Sequence, residues 1–273
     1  METRRKIAVA GATGRVGRHV VDVLEAKGDD VVPMSRSRGV DVVTGDGLAD
    51  ALAGVTTIID VATQSSPDEE AATAFFTAAA RNLHEVGMRA GVQQIVEVSI
   101  IGIDRFTTGY YAAKLAQERA MLSGPIPVRI LRAAQFHEFV PELVDWGRQG
   151  EVSYVPSWRT QLVAARTVAE ALVDLANGSG PARGSSGPPF PEIAGPREEN
   201  LFDVAKLLAA RRGDPLRVEV ASDAALPESH LYETGALLPG PHATLAGPTF
   251  EEWLESEPAN RRPEQEPLQR RTA

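Results

Sequence analysis

The sequence predicts an α/β fold: a doubly wound parallel sheet with a small C-terminal region covering its substrate side. Three observations point to it. Short apolar runs alternate with helix-length amphipathic segments through the first half, the pattern of successive βαβ units. A glycine-rich turn, Gly11-Ala12-Thr13-Gly14-Arg15-Val16-Gly17, joins the first apolar run to the first amphipathic segment. The apolar runs are short and nearly continuous, as strands buried on both faces are. Parallel strands joined by helices make right-handed crossovers, which cover both faces of an open sheet.

Residues 7–10 read as a buried strand and residues 14–26 as the helix after it, closed by Lys27-Gly28. Residues 31–34 are the second strand, with Pro33 marking its end. Residues 40–43 are a short third strand closed by Gly45-Asp46-Gly47, and residues 49–53 a short helix. The β-branched run 57–61 is a central strand. Pro67-Asp68-Glu69-Glu70 supplies a proline start and an acidic first turn for an alanine-rich helix to Ala90, ended by Gly91. Residues 94–98 lead as a strand to Ser99, residues 109–122 form a helix stopped at Ser123-Gly124-Pro125, and residues 128–131 are a sixth strand.

The second half is less regular. Helices are expected over 167–176, 201–211 and 250–254, a strand over 217–220, and a loop over 178–191. From Glu257 onward the chain is polar, proline-containing and charged, which predicts a disordered tail. The organisation is therefore a cofactor-binding core over 1–132, a smaller substrate-side region over 133–256 interleaved with it, and the tail 257–273.

Composition narrows the chemistry. With 273 residues the chain buries enough surface to need no disulfide or structural metal, and the absence of cysteine excludes thiolate nucleophiles, cysteine zinc sites and iron–sulfur clusters. A net charge of −9 argues against a general nucleic-acid binder, and 5% aromatics are too few for a single-strand stacking platform. The basic start Met1-Glu2-Thr3-Arg4-Arg5-Lys6 is followed by an apolar run that stops at Gly11, so no targeting segment is expected, and no run is long enough to span a bilayer. The expectation is a soluble cytoplasmic protein with a small-molecule substrate, no nucleic-acid or membrane partner, and a monomer or homodimer both open.

The placement of the glycine turn predicts a Rossmann-like dinucleotide site. Gly11 and Gly14 permit a tight turn, Gly17 lets the helix lie close to the sheet, and the backbone around Thr13, Arg15 and Val16 faces a pyrophosphate at the helix N-terminus. The spacing is G-x-x-G-x-x-G, one residue off the commoner dehydrogenase fingerprint. The second strand runs into Ser35-Arg36-Ser37-Arg38 with no carboxylate, so Ser35 and Arg36, joined by Arg15, suit a 2′-phosphate and predict NADP(H) in preference to NAD(H). Asp46 either meets the adenine edge or shapes its turn, and Ala62, just past the 57–61 strand, is expected on the cofactor side.

The Gly11–Gly17 loop, Gly45-Asp46, Val96-Glu97-Val98-Ser99, Tyr110-Tyr111-Ala112-Ala113-Lys114-Leu115-Ala116-Gln117-Glu118 and Ile130-Leu131-Arg132-Ala133-Ala134-Gln135-Phe136-His137-Glu138 resemble the short-chain dehydrogenase/reductase superfamily, in its atypical NmrA-like branch. The likeness runs from residue 6 to about residue 255 and is most specific in the first half. It implies that Tyr110 gives a proton to a substrate carbonyl, that Lys114 holds the nicotinamide ribose and stabilises the phenolate, and that Ser99 orients the carbonyl. Tyr110 and Lys114 are four residues apart and share one helix face, and an ammonium near a phenol lowers its pKa. Tyr111, three residues from Lys114, is the alternative phenol. Ser99 precedes Tyr110 by only 11 residues, shorter than the family's usual interval.

His137 and Phe136, after the sixth strand, and Trp158 are candidate substrate contacts; for His137 the alternative, which its setting favours, is a structural hydrogen-bonding role. Trp146 and Tyr154 either line the same pocket or complete a small core. No metal-ligand spacing and no Gly-x-Ser-x-Gly elbow occur. The resulting expectation is an NADPH-dependent oxidoreductase of a small carbonyl or quinone-like substrate. The alternatives are a non-catalytic NADP-binding regulator of the NmrA type and an NAD-dependent epimerase.

Overall fold

A short apolar run, Lys6–Ala10 (β1), starts the chain's sheet with every residue after Lys6 buried. In the computed structural model, which describes residues 5–64, 68–178, 189–213, 215–221 and 228–256, it is followed by Gly17–Ala26 (α1), Asp30–Met34 (β2), Leu48–Ala51 (α2), Thr57–Asp60 (β3) and Glu69–Ala90 (α3). Gln94–Ile100 (β4), Gly109–Ser123 (α4) and Val128–Ala133 (β5) complete the first half. The second half contributes Phe139–Trp146 (α5), Arg148–Gln149 (β6), Val152–Val155 (β7), Arg159–Thr160 (β8), Ala165–Ala176 (α6) and Glu192–Ala194 (β9). Glu199–Asn200 (β10), Leu201–Arg212 (α7), Arg217–Val220 (β11), Ser229–Glu233 (α8), Thr244–Leu245 (β12) and Phe250–Ser256 (α9) follow.

Among the described residues the main sheet has seven strands in the order β12-β9-β5-β4-β3-β1-β2, every pair parallel. The strand order reverses around β1, which lies between β2 and β3, so a crevice opens beyond the carboxyl ends of β1 and β3. Alternation along the strands sorts the core into two layers. Ile7, Val9, Ile59, Val61 and Val96 pack against Val20 and Leu24 of α1 and Val168 and Leu172 of α6. Ala8, Ala10, Ile58, Ile95 and Ile130 face α2, α3 and α4 through Leu48, Leu83 and Met121. A third cluster joins α5, α7 and α9 through Val140, Val144, Val204, Leu208, Phe250 and Trp253.

The start of α3 follows the expected pattern. Asp68 caps α3 by accepting a hydrogen bond from the Ala71 N–H at 2.8 Å, with Glu69 and Glu70 in the first turn. β4 and β5 are longer than expected, so Ser99 lies inside β4.

Residues 40–43 are not a strand, which corrects the expectation. The Asp41 carboxylate accepts from the Val43 N–H at 2.7 Å, and the Asp41 N–H donates to the Asp46 carbonyl at 3.0 Å, so this stretch satisfies itself as a turn. β2 is consequently an edge strand, and the opposite edge is built by β9 and β12 from the second half. The loop expected over 178–191 gives way to β9 just beyond it; residues 179–188, Pro67 and the tail 257–273 lie outside the described residues.

Candidate active site

The glycine turn owes its shape to two close approaches. Gly11 has φ +78°, and a Cβ there would stand 2.8 Å from the backbone of Val61 and Ala62. A Cβ on Gly17 would collide with the Gly11 carbonyl oxygen, so α1 lies against the turn only because position 17 is bare. The Gly11 and Ala12 N–H groups both donate to the Met34 carbonyl at 3.1 Å, tying the turn to the end of β2. The α1 N-terminus has no side-chain cap and no acidic residue in its first turn. Its first N–H groups have no partners within the helix, and the end carries positive partial charge. These residues fit a dinucleotide pyrophosphate: the backbone comes close and the first turn of α1 carries no acidic side chain.

At the end of β2, Arg36 and Arg38 are exposed in a single 3₁₀ turn, and Ser35 Oγ lies 3.0 Å from Ser37 Oγ. Arg15 is differently placed, paired with Glu142 of α5 across the turn. Asp46 accepts from the Thr44 hydroxyl at 2.8 Å and is built into the 41–46 turn.

α4 begins where the Gly109 N–H donates to Glu69 of α3 at 2.6 Å, so the two helices enter in register. This places the Tyr110 hydroxyl 2.9 Å from Thr63 Oγ1, with the Tyr110 ring edge-on to Phe76 at 5.8 Å. Thr63 follows Ala62, the residue on which Gly11 closes, so the phenol stands at the crevice beside the glycine turn. Lys114, only 5% exposed, turns inward. Its Nζ donates to the Val98 carbonyl at 2.9 Å and to Gln117 Oε1 at 2.5 Å, lies 3.8 Å from Glu97 Oε1, and sits 4.9 Å from the centre of the Phe76 ring. Ser99 is buried and its hydroxyl has no hydrogen-bond partner. The structure brings Tyr110, Lys114 and Ser99 to the same side of the sheet without direct hydrogen bonds among them.

Tyr111 faces a different neighbourhood. Its ring lies 4.8 Å from Phe106 and 6.0 Å from Tyr232, and Tyr232 stacks on Trp158 at 4.0 Å with a 19° interplanar angle. Burial pushes the Tyr111 phenol well above its usual range, with Tyr232 and Tyr110 adding to the shift. Gln135, just past β5, accepts from Thr160 Oγ1 at 2.8 Å, while its amide nitrogen is buried without a partner.

Sequence reasoning missed the acids beneath the crevice. Asp60 and Glu97 stand opposite each other in β3 and β4 and are 1% and 0% exposed. Burial raises Asp60 to about 6, opposed by the Ala62 N–H, Lys114 and Gln117. Burial raises Glu97 to about 8, opposed by Lys114 and reinforced by Asp60 and Glu118. Glu118 is held by Arg132 through two bonds of 3.0 and 2.9 Å, and Arg132 also reaches Asp104 at 2.6 Å. The available clue was a glutamate inside the apolar strand Ile95-Val96-Glu97-Val98, a position that strands reserve for buried side chains.

The expected substrate residues divide. Trp158 joins the Tyr232 stack. Phe136 is half-buried, its backbone bridging to Val163. His137 is 0% exposed, which corrects its place among the substrate contacts and agrees with the structural alternative: its Nε2 meets the Pro248 carbonyl at 3.1 Å, and Phe250 and Trp253 close over the ring at 5.5 Å. Burial lowers its pKa to about 4, so the ring is a neutral strut inside the C-terminal cluster. Trp146 is exposed, at 69%, and Tyr154 at 38%. No metal-binding group of side chains occurs among the described residues, and no described helix is long and apolar enough to cross a membrane.

The reversed strand order, the glycine turn at its switch point and the uncapped helix behind it define a Rossmann-fold nucleotide-binding protein. Residues 11–178 match the model of a family described as NAD(P)H-binding, and the chain belongs to that family. Solved structures with the same fold include MoeE5 in complex with UDP-glucuronic acid and NAD, at 21% identity and TM-score 0.64, covering 80% of this chain and 85% of that one. A short-chain dehydrogenase/reductase superfamily protein from Agrobacterium tumefaciens with bound NAD aligns at 18% identity and TM-score 0.62, over 92% and 95% of the two chains. GDP-mannoheptose C4 reductase from Campylobacter jejuni with NADP bound aligns at 13% identity and TM-score 0.63, over 81% and 88%. No curated protein sequence matches the chain. The family match and the shared fold agree on an NAD(P)H-binding Rossmann-type chain.

Proposed function

We propose that the protein is an NADPH-dependent reductase of a small carbonyl or quinone-like substrate. The observation that carries this reading is the Tyr110 phenol, held 2.9 Å from Thr63 Oγ1 at the crevice beside the glycine turn. The bound dinucleotide supplies the hydride. Gly11, Thr13, Gly14, Val16 and Gly17 hold the pyrophosphate through backbone and close approach, and Ser35 and exposed Arg36 take the 2′-phosphate. Arg15 contributes to the same phosphates once it leaves Glu142. Ala62 closes the floor under Gly11, and Asp46 braces the neighbouring turn.

With the dinucleotide bound, Tyr110 would give its proton to the carbonyl oxygen that hydride addition makes basic, and the Lys114 ammonium, one helical turn on, would stabilise the phenolate left behind. Ser99, whose hydroxyl is unpaired, is the group on β4 that orients the carbonyl oxygen.

A second reading, an NADP-binding regulator without turnover, is favoured by one observation: Lys114 Nζ is engaged by Val98 and Gln117 below the crevice. Following NADPH oxidation with a panel of carbonyls and quinones separates the two. The reductase reading expects turnover that Tyr110→Phe reduces about 10²- to 10⁴-fold, the usual worth of a positioned proton donor, with NADPH affinity unchanged. Full turnover in Tyr110→Phe removes Tyr110 as the acid. Tight binding with no turnover on any substrate supports the regulator.

A further inference from the structure

We propose that Glu97 is a positioning residue for Lys114: it faces the ammonium in a sealed pocket beneath the crevice and sets whether Lys114 is retained there or presented to the nicotinamide ribose. The inference rests on the reading of Lys114 as the ribose-binding lysine, and it does not require turnover.

Glu97 lies in the interior of β4, in register with Asp60 of β3 and Ile130 of β5. It is 0% exposed, and neither of its carboxyl oxygens has a hydrogen-bond partner. Buried polar atoms are nearly always partnered, so an orphaned carboxyl in a strand interior calls for an explanation. Lys114 supplies one. An ammonium has three donors; two are used on Val98 O and Gln117 Oε1, and Glu97 Oε1 lies 3.8 Å away, beyond a hydrogen bond but within strong electrostatic reach.

The charges around the pair are few. From β3 comes Asp60. From α4 come Lys114 and Glu118, and Glu118 is taken by Arg132 of β5, which also binds Asp104. α3 adds the Phe76 ring under the ammonium; its buried titratable side chain, His84, is bonded to the Met121 carbonyl and the Ile126 N–H at the far end of the helix pair. The Lys114 ammonium therefore faces two acids, and two neighbouring acids resist ionising together. Asp60 receives the Ala62 N–H at 3.0 Å and the Gln117 amide at 3.3 Å, so it carries the charge while Glu97 keeps its proton. With Glu97 neutral, Lys114 is held mainly by neutral acceptors. Loss of the Glu97 proton to solvent places a full negative charge beside the ammonium and pins it in the pocket. Burial places that ionisation near pH 8, inside the range of an ordinary titration.

The test is the affinity of the full chain for NADPH or NADH, whichever binds more tightly, read by dinucleotide fluorescence at pH 6.5 and pH 9. The wild-type dissociation constant is expected to rise at least fivefold between the two. Glu97→Gln is expected to hold the pH 6.5 value at both, and Glu97→Asp to restore the pH dependence. A wild-type profile flat across that range, or an unchanged profile in a folded Glu97→Gln, overturns the proposal. If Glu97→Gln does not fold, Glu97→Asp decides by the midpoint of its profile, which moves if Glu97 is the titrating group and stays if it is not. Failure of both dinucleotides to bind overturns both this proposal and the cofactor role of Lys114. Binding with the expected pH dependence but no turnover leaves Glu97 in place and removes only the reductase.

Discussion

Asp60 and Glu97 stand side by side in adjacent parallel strands, both buried, yet hydrogen-bond donors reach only Asp60. A sheet of this kind ordinarily fills such a row with aliphatic residues, as Ala10 and Ile130 do on either side. The two acids instead place a pair of buried carboxyls directly under the site, with Lys114 as the counter-charge.

That pairing makes stability depend on pH in a defined direction. Both carboxyls are raised in the folded chain, Asp60 from 3.8 to about 6 and Glu97 from 4.5 to about 8. The folded state therefore holds protons that the unfolded state has released, and stability falls as pH rises through those windows. Glu97→Gln is expected to flatten the decline between pH 4.5 and 8 and to be more stable than wild type at pH 9 by a few kcal/mol. Chemical denaturation at pH 5, 7 and 9 checks it, and a parallel decline in both proteins would show that Glu97 is not the cause.

Gly17→Ala tests the phosphate turn. The new methyl group meets the Gly11 carbonyl oxygen, so either α1 or the turn must shift. Overpacking of this kind costs about 1–3 kcal/mol. The expected result is a melting temperature lower by several degrees and NADPH affinity reduced at least about tenfold, measured by thermal unfolding and fluorescence titration. A variant that binds NADPH like wild type would mean the turn has room that its geometry denies.

Arg36→Ala bears on cofactor choice. Arg36 is exposed beyond β2 with no carboxylate beside it in the 35–40 stretch, whereas Arg15 is engaged by Glu142. Loss of a charge-assisted contact of about 1.5–3 kcal/mol weakens NADPH binding about tenfold or more and leaves NADH affinity unchanged. Equal loss for both dinucleotides would place Arg36 away from the 2′-phosphate.

His137 gives the acid side of the stability profile. Its pKa is depressed to about 4 by burial, so the unfolded chain binds a proton that the folded chain refuses. Stability contributed by the neutral ring is complete above pH 6.5 and is lost as pH falls toward 4. His137→Gln is expected to be less stable than wild type at pH 7, because the ring packing against Phe250 and Trp253 is gone, but to lose less on acidification. Denaturation midpoints at pH 7 and 4.5 measure the difference.

Local pattern was enough for the β1–turn–α1 unit, for the alanine-rich α3 with its Asp68 cap, and for the shared helix face of Tyr110 and Lys114. Each is written within one helix turn or one strand, where side-chain period and backbone preference act on neighbours in sequence. The stretch 40–43 misled because its β-branched residues read as strand while Asp41 satisfies the backbone locally. β9 and β12 carry too few residues to show a period, and they exist only because β5 offers an open edge to chain arriving from the second half.

The same division runs through the site. Sequence alone determined that a tyrosine and a lysine share a helix next to a nucleotide-binding turn. Tertiary structure decided that Thr63 holds the phenol and that His137 faces Phe250 and Trp253. It also decided that Lys114 looks down onto Glu97, because β3, β4 and α4 meet there. The reason is physical: propensity and periodicity are short-range properties of the chain, whereas burial, register between distant strands and the charge of a buried carboxyl come into being only when those strands pack.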